Sequence, residues 1–379
     1  MLDPFFEWLG RLFQAVLAWF KALIAAILWP FRATYAFYKR SGLIIKLVLG
    51  VLIIPFVLGY AWFFWHAAWI RDYNVDYPDK FKFTERLQSA GEQVAPEGGV
   101  TTTKTCGRSH IVDVTTDLID FNVNRNLWIP SNPLYKLGIF GIMEWDQTWF
   151  FDNKANFQRG VQQAASRTAI ELADALGRVR GTSEIDPDLK IAKGNVLIDQ
   201  TIWYFNVFNK DLPFGFASPT SSWYRNALRS LKKYNDRLAA CNATFDARAD
   251  NLLQFLDRIA KDIGSASAII KERAEGYNSG WFDTRADDIF MNSKGQLYAY
   301  YGILKAARAD FHDVVELRGV SDIWDLMDEH LYSAIALDPF IISNGREDGW
   351  MMPTHLTTIG FYILRARSNL VEIRSVLDR

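Results

Sequence analysis

Residues 219–263 read PTSSWYRNALRSLKKYNDRLAACNATFDARADNLLQFLDRIAKDI. Within them Tyr224, Leu228, Leu231, Asn235, Leu238, Asn242, Phe245, Ala249, Leu252, Leu256, Ile259 and Ile263 recur alternately at spacings of four and three. Positions three and four apart share one face of an α-helix, so the pattern predicts a single long helix with a narrow apolar seam. It suits one arm of an extended bundle or coiled coil, and the two seam asparagines would restrict the acceptable registers. Two shorter helices with a break near Asp246 are the competing reading. Pro219 and Thr220 open the stretch, and no proline follows until Pro339.

The flanking sequence has the same character. From Pro353 and Thr354 onward, Leu356, Ile359, Ile363, Ala366, Leu370, Ile373 and Leu377 form a heptad-like stripe that should pack lengthwise against another helix. Residues 297–317 and 321–337 also read as helices, with Gly319 as stop and Ser321 as cap. Asp152 and Asn153 can cap a helix reaching about Arg180, where Gly181 offers a left-handed end. His110 to Phe121 (HIVDVTTDLIDF) mixes partial alternation with β-branched residues, which leaves a short strand and a helical turn both open. Residues 126–149 place Trp128, Trp145 and Trp149 among prolines and glycines and read as an irregular aromatic loop. The fold class is mainly α.

The first seventy residues are a different material. They hold 18 of the 56 aromatic residues and 6 of the 14 tryptophans, with a net charge of +4, while the remaining 309 residues carry −5. An acidic large part lacks the clustered Lys and Arg that phosphate-backbone binding requires, which sets nucleic acid aside as a partner. Leu47 to Trp65 (LVLGVLIIPFVLGYAWFFW) has no charge over nineteen residues. At about 1.5 Å per residue it is long enough for the roughly 30 Å hydrocarbon core of a bilayer. Trp62, Trp65 and Trp69 suit the headgroup zone as membrane anchors, and Pro55 is tolerable in a spanning helix. The apolar stretch begins too far from the start, and ends too bulkily, for a cleaved signal peptide.

Residues 4–29 carry a narrow polar stripe of Glu7, Arg11, Gln14, Ala18, Lys21 and Ala25. The favoured reading is an amphipathic helix on the membrane surface that stops near Pro30; a first spanning helix is the alternative. Arg32, Lys39, Arg40 and Lys46 crowd the near side of the span, so the N-terminus should stay in the cytoplasm and the large part should be periplasmic in a Gram-negative inner membrane. The expected organisation is a cytoplasmic arm (1–42), a transmembrane helix (43–70), a tether and entry loop (71–108) and an elongated periplasmic helical domain with aromatic-rich loops (109–379).

Chemical signatures are sparse. Cys106 and Cys241 fall in the exported part, where a disulfide between entry loop and long helix is permitted. His312 with Glu316, and Glu329 with His330, lack any wider metal-ligand pattern, so no metal and no other cofactor is expected. Ser230 to Lys233 matches SxxK without the accompanying motifs and sits within the predicted long helix, with Leu231 on its apolar seam. Asp283, Asp287 and Asp288, and Arg346-Glu347-Asp348, could include a general acid, but solvated charges explain them as well. Trp128, Trp145, Trp149, Trp281 and Trp350, with Phe214 and Phe216, are candidate binding aromatics if exposed and plugs of the bundle ends if buried.

The stretches LWIPSNP (127–133), FDNKANFQRGVQQAASR (151–167) and SEIDPDL (183–189) resemble a family of uncharacterised proteobacterial inner-membrane proteins, over most of the chain after about residue 45. The resemblance implies a bacterial membrane protein and brings no activity, cofactor or active-site residue with it. The expected function is a membrane-anchored envelope scaffold or adaptor. Its expected partners are the lipid bilayer and an envelope protein or a second copy met through the long helix. The alternative is a periplasmic hydrolase or lyase acting on cell-wall or lipid material through a carboxylate in an aromatic cleft.

Overall fold

The computed structural model describes residues 3–85, 89–91, 93–94, 105–139, 141–148, 151–178, 184–206, 215–277, 279–280, 282–346 and 352–379. The chain divides into two compact units, Met1–Phe63 and Phe64–Arg379. The fold is mainly α, and its described strands are two-residue antiparallel ladders, Gln93–Val94 with Thr105–Cys106 and Phe205–Asn206 with Gly215–Phe216.

The first unit contains helix α1 (Asp3–Arg40) and most of helix α2 (Leu43–Ala67). Helix α1 does not stop at Pro30. It continues to Arg40, because a proline removes only one intrahelical bond and the flanking apolar residues keep their helical geometry. Thr34 Oγ1 donates to the Pro30 carbonyl at 2.8 Å across this turn. Helix α2 contains the predicted Leu47–Trp65 stretch and accommodates Pro55 within it. From Leu43 to Leu58 most of its apolar side chains are exposed, with Leu43, Leu47, Val51, Ile54 and Leu58 each 59 to 73% accessible, while Tyr60, Phe63 and Ala67 near its end are buried. Both helices are long and apolar enough to cross a membrane.

The second unit is built around helix α9 (Ala286–Asp310), most of whose residues are buried. Its closest partner is α5 (Asn153–Glu171, continued by a wider turn at Leu172–Leu176). Asn156 meets Asp288 and Asn292, while Gly160 meets Asn292 and Gln296, so the two helices advance in the same direction. Their backbones nearly touch. A Cβ on Gly160 would sit 2.0 Å from the Asn292 carbonyl oxygen, and one on Gly295 would sit 2.1 Å from that of Phe157.

Helix α3 (His110–Asp120) covers another side of α9. The sequence leaves this segment open between a short strand and a helical turn, and capping decides for the helix. Ser109 accepts from the Val112 amide, and the buried Asp310 carboxylate accepts from Ser109 Oγ and from the His110 and Ile111 amides at 2.6 to 2.9 Å. Three donors at a helix start are thereby satisfied by the last residue of α9. The small helix α4 (Pro133–Leu137) follows in the aromatic loop, and α6 (Pro187–Val196) packs on α7 (Thr220–Ala239).

The long helix predicted for 219–263 is two helices, α7 and α8 (Ala249–Gly276). Cys241 adopts φ +60°, the Asn242 amide donates to the Arg237 carbonyl, and the Cys241 amide donates to that of Leu238. These bonds close α7 as a left-handed C-terminal turn usually does, with cysteine in place of glycine. Cys241 is bonded to Cys106, at a Cα–Cα distance of 5.4 Å. Phe245 then turns back into the core against Phe311, and the Asp246 amide donates to the Leu176 carbonyl. The seam survives the break: Leu228, Leu231, Leu238, Leu252, Leu256, Ile259 and Ile263 are all buried.

Helices α10 (His312–Arg318) and α11 (Ser321–Ala336) are separated by Gly319 in the left-handed conformation, as expected, although Val320 rather than Ser321 occupies the cap position of α11. Helix α12 (His355–Leu377) lies along α8 and α11, and all seven residues of its predicted stripe are buried. The segment after α2 is less of a tether than its composition suggests. Tyr73 and Tyr77 stack on Tyr298 at 5.1 and 4.4 Å between ring centroids, and their hydroxyls donate to the Ile335 and Tyr298 carbonyls.

Candidate functional site

The sequence-selected aromatics do not converge. Trp128 and Trp145 are buried, each donating its indole N–H to a main-chain carbonyl, of Gln200 at 3.0 Å and Leu134 at 3.1 Å. They are plugs in the interior rather than a stacking surface. Trp149, Trp281, Trp350 and Phe214 lie outside the described residues. Phe216 is 87% accessible, and Trp62, Trp65 and Trp69 are exposed.

Among the acidic candidates, Asp283 is a structural ion-pair member. Its carboxylate accepts from Arg273 Nε and Nη2 and from Asn344 Nδ2, and those hydrogen bonds hold it below the usual carboxylate range against the upward push of burial. Glu347 and Asp348 lie outside the described residues. His312 and Glu316 share a groove of about 310 Å³ with Lys305, Arg308 and Asp328. The Ser230–Lys233 match lies within α7, where Lys233 pairs with Asp188 at 3.5 Å.

Asp287 and Asp288 stand apart. They occupy the first turn of α9, and Asp152 immediately precedes α5. A carboxylate is individually favoured at a helix N-terminus, where it faces unpaired amides and the positive end of the dipole. Because α5 and α9 run in the same direction, their two starts come together and bring the carboxylates with them. Asp146, from the short turn Trp145–Gln147, completes the group: one oxygen each of Asp146, Asp152 and Asp288 lie within 4.8 Å of one another. Asp152 is fully buried, Asp287 is 3% accessible and Asp288 9%.

Neutral donors orient two members of this cluster. Tyr135 Oη donates to Asp146 Oδ1 at 2.5 Å, and Asn156 Nδ2 donates to Asp288 Oδ1. Arg159 holds Asn156 Oδ1 at 3.0 Å and reaches Asp146 only at 3.9 Å. Among the described residues no donor satisfies either carboxylate oxygen of Asp152 or of Asp287, and the Asp152 and Asp288 carboxyls lie close enough to share a proton. Two like charges about 5 Å apart at an effective dielectric of about 20 repel by about 3 kcal/mol. Burial, followed by the neighbouring Asp288 and Asp287 charges, pushes Asp152 well above the ordinary carboxylate range, and burial with Asp287 does the same to Asp288. Burial is the first cause at Asp287 too, raising it to about 7. Such a group can hold protons, or it can collect a cation that prefers oxygen ligands.

A second concentration of charge lies beside it in sequence. Lys154 donates from Nζ to the His66 and Trp69 carbonyls, both at 2.8 Å, and so satisfies acceptors at the C-terminal end of α2. Burial, then Arg71, lowers it to about 8. Lys294 donates to the Leu337 carbonyl at 2.6 Å and lies 5.0 Å from the Tyr73 ring centroid. Both lysines line a groove of about 390 Å³ with Trp69, Phe157 and the fully exposed Phe340.

A family model described as uncharacterized protein conserved in bacteria (DUF2333) matches residues 145–279 and 270–379. The chain belongs to this family. The DUF2333 match begins a hundred residues later than the resemblance read from the sequence, so LWIPSNP and the two apolar helices lie outside it. Asp146, Asp152, Asp287 and Asp288 all lie inside it. No curated protein and no solved structure matches the chain.

Sequence reasoning singled out Asp287 and Asp288 but read Asp152 only as a cap and passed over Asp146. Asp146 and Asp152 are close in sequence, but Asp288 lies more than a hundred residues further on, and only the α5–α9 pairing brings it to them. The glycines at 160 and 295, spaced for a close helix crossing, were the available signal.

Proposed function

We propose that this protein is a membrane-anchored envelope adaptor of bacteria, with its N-terminus in the cytoplasm, α2 crossing the inner membrane and the helical domain working by contacts in the periplasm. The observation that carries the reading is the apolar exposure of α2 from Leu43 to Leu58. A water-soluble protein rarely leaves so large a contiguous apolar surface uncovered, and lipid is the medium that suits it. The basic residues between Arg32 and Lys46 favour the stated orientation, and the Cys106–Cys241 bond fits an oxidising compartment.

Support for a contact role comes from the domain's surface. Opposite its buried stripe, α12 exposes Phe361, Leu364 and Val371, at 56, 54 and 42%. The seam on α7 and α8 faces the domain's own core and is not free for a second copy. The hydrolase alternative draws on the raised carboxyls near Trp145, but four grooves among the described residues, of about 310 to 830 Å³, are lined by other side chains.

Two measurements test the proposal. Protease added to spheroplasts should remove a C-terminal epitope while a cytoplasmic marker survives; protection of the epitope would overturn the topology. Photo-crosslinkers at Phe361 and Leu364 should capture one defined envelope protein that a crosslinker at exposed Lys271 does not, and equal recovery at all three positions would overturn the adaptor role.

A further inference from the structure

We propose that Asp146, Asp152 and Asp288 bind a hard divalent cation, Ca2+ by preference, between the starts of α5 and α9. Three carboxylate oxygens within 4.8 Å of one another fit the span of one Ca2+ coordination sphere, whose opposite ligands are about 4.6 to 5.2 Å apart. An all-oxygen donor set selects Ca2+ or Mg2+ over softer metals.

The independent observation is Asp152. It is fully buried, neither of its oxygens meets a donor among the described residues, and one of them lies with an oxygen of each of the other two carboxylates. A buried polar group left in this state is costly unless something not made of protein satisfies it. A proton shared between Asp152 and Asp288 would occupy one oxygen of each and leave the second Asp152 oxygen bare. A divalent cation engages all three carboxylates at once and removes their mutual repulsion.

The surroundings have the form of a second ligand layer. Tyr135 and Asn156 each fix one ligand carboxylate through a neutral donor, which orients the oxygens without cancelling their charge. Arg159 approaches Asp146 only to 3.9 Å, and Arg285, whose charge acts on Asp288, makes no ion pair with it, so neither neutralises the group. The Asp146 side chain is 39% accessible and gives a route from solvent.

Trp145 adjoins Asp146 in sequence, so Tb3+, a Ca2+ mimic, should be sensitised by indole excitation. The experiment uses the full chain in detergent after chelation. Tb3+ emission should appear, Ca2+ should displace it more effectively than Mg2+, and Ca2+ should raise the thermal midpoint. Asp152→Asn, an isosteric change, should weaken Tb3+ binding by roughly 10- to 100-fold or more, while Asp328→Asn, away from the cluster, should leave it unchanged. If Asp152→Asn fails to fold, Asn156→Asp is the second variant and should tighten binding. Absence of sensitised emission together with no cation-dependent midpoint shift would overturn the proposal. So would Tb3+ binding that Asp152→Asn leaves intact, or stabilisation by acid alone with no response to either cation.

Discussion

At the residue scale, Gly295 and Gly160 show how little freedom the α5–α9 contact leaves. A methyl group at either position meets backbone rather than a flexible side chain, so the helices themselves must separate. Gly295→Ala is expected to lower stability by about 1 to 3 kcal/mol, read as a reduced thermal midpoint in detergent. Asp328 on α11 supplies a pH prediction. Burial first, partly opposed by Lys305 and Arg308 and reinforced by Asp325, raises its carboxyl to about 7. The folded protein therefore holds a proton that the unfolded chain releases near pH 4, and stability falls as pH rises from about 4 to 7. Asp328→Asn should stabilise the protein at pH 8 by on the order of 2 kcal/mol and have little effect at pH 4. An unchanged difference across that range, in paired thermal melts, would contradict the assignment.

At the scale of elements, the parts with one wet face were legible and the parts without one were not. Helix α12 alternates buried and exposed residues at helical spacing, and its stripe was readable to the residue. Helix α9 is enclosed on all sides, so its sequence has no periodic polar face; the reading began at Leu297 instead of Ala286 and ran through the break at Phe311. The seam across α7 and α8 kept its period through a nine-residue interruption, which misled the reading of one continuous helix. The faces of α12 can be checked directly: Ile363→Ala should cost about 2 to 4 kcal/mol, whereas Phe361→Ser should stay within about 0.5 kcal/mol. Comparable losses at both positions in equilibrium unfolding would mean that the outer face is covered.

At the scale of the whole molecule, composition changes near residue 70, whereas the compact units divide between Phe63 and Phe64, inside the second apolar helix. The carboxylate cluster was out of reach because its members meet only through a parallel helix pair, a long-range event that no local pattern encodes. The same long range governs the disulfide. Cys106 and Cys241 are 135 residues apart, and cross-linking a loop of that size restricts the unfolded chain strongly. Reduction is expected to lower stability by about 2 to 4 kcal/mol, visible as a lower thermal midpoint with reductant that Cys106→Ser with Cys241→Ser reproduces.

The central position of α9 also dictates an order of events during synthesis. Ribosomes deliver the chain from its first residue, so α3 and α5 emerge long before the helix on which both depend. Until residue 310 has arrived, Asp310 cannot complete the start of α3 and the Gly160 face has nothing to lie against. Nascent chains cut short before α9 should therefore be recognised as incomplete by proteolysis, however much helix they already contain.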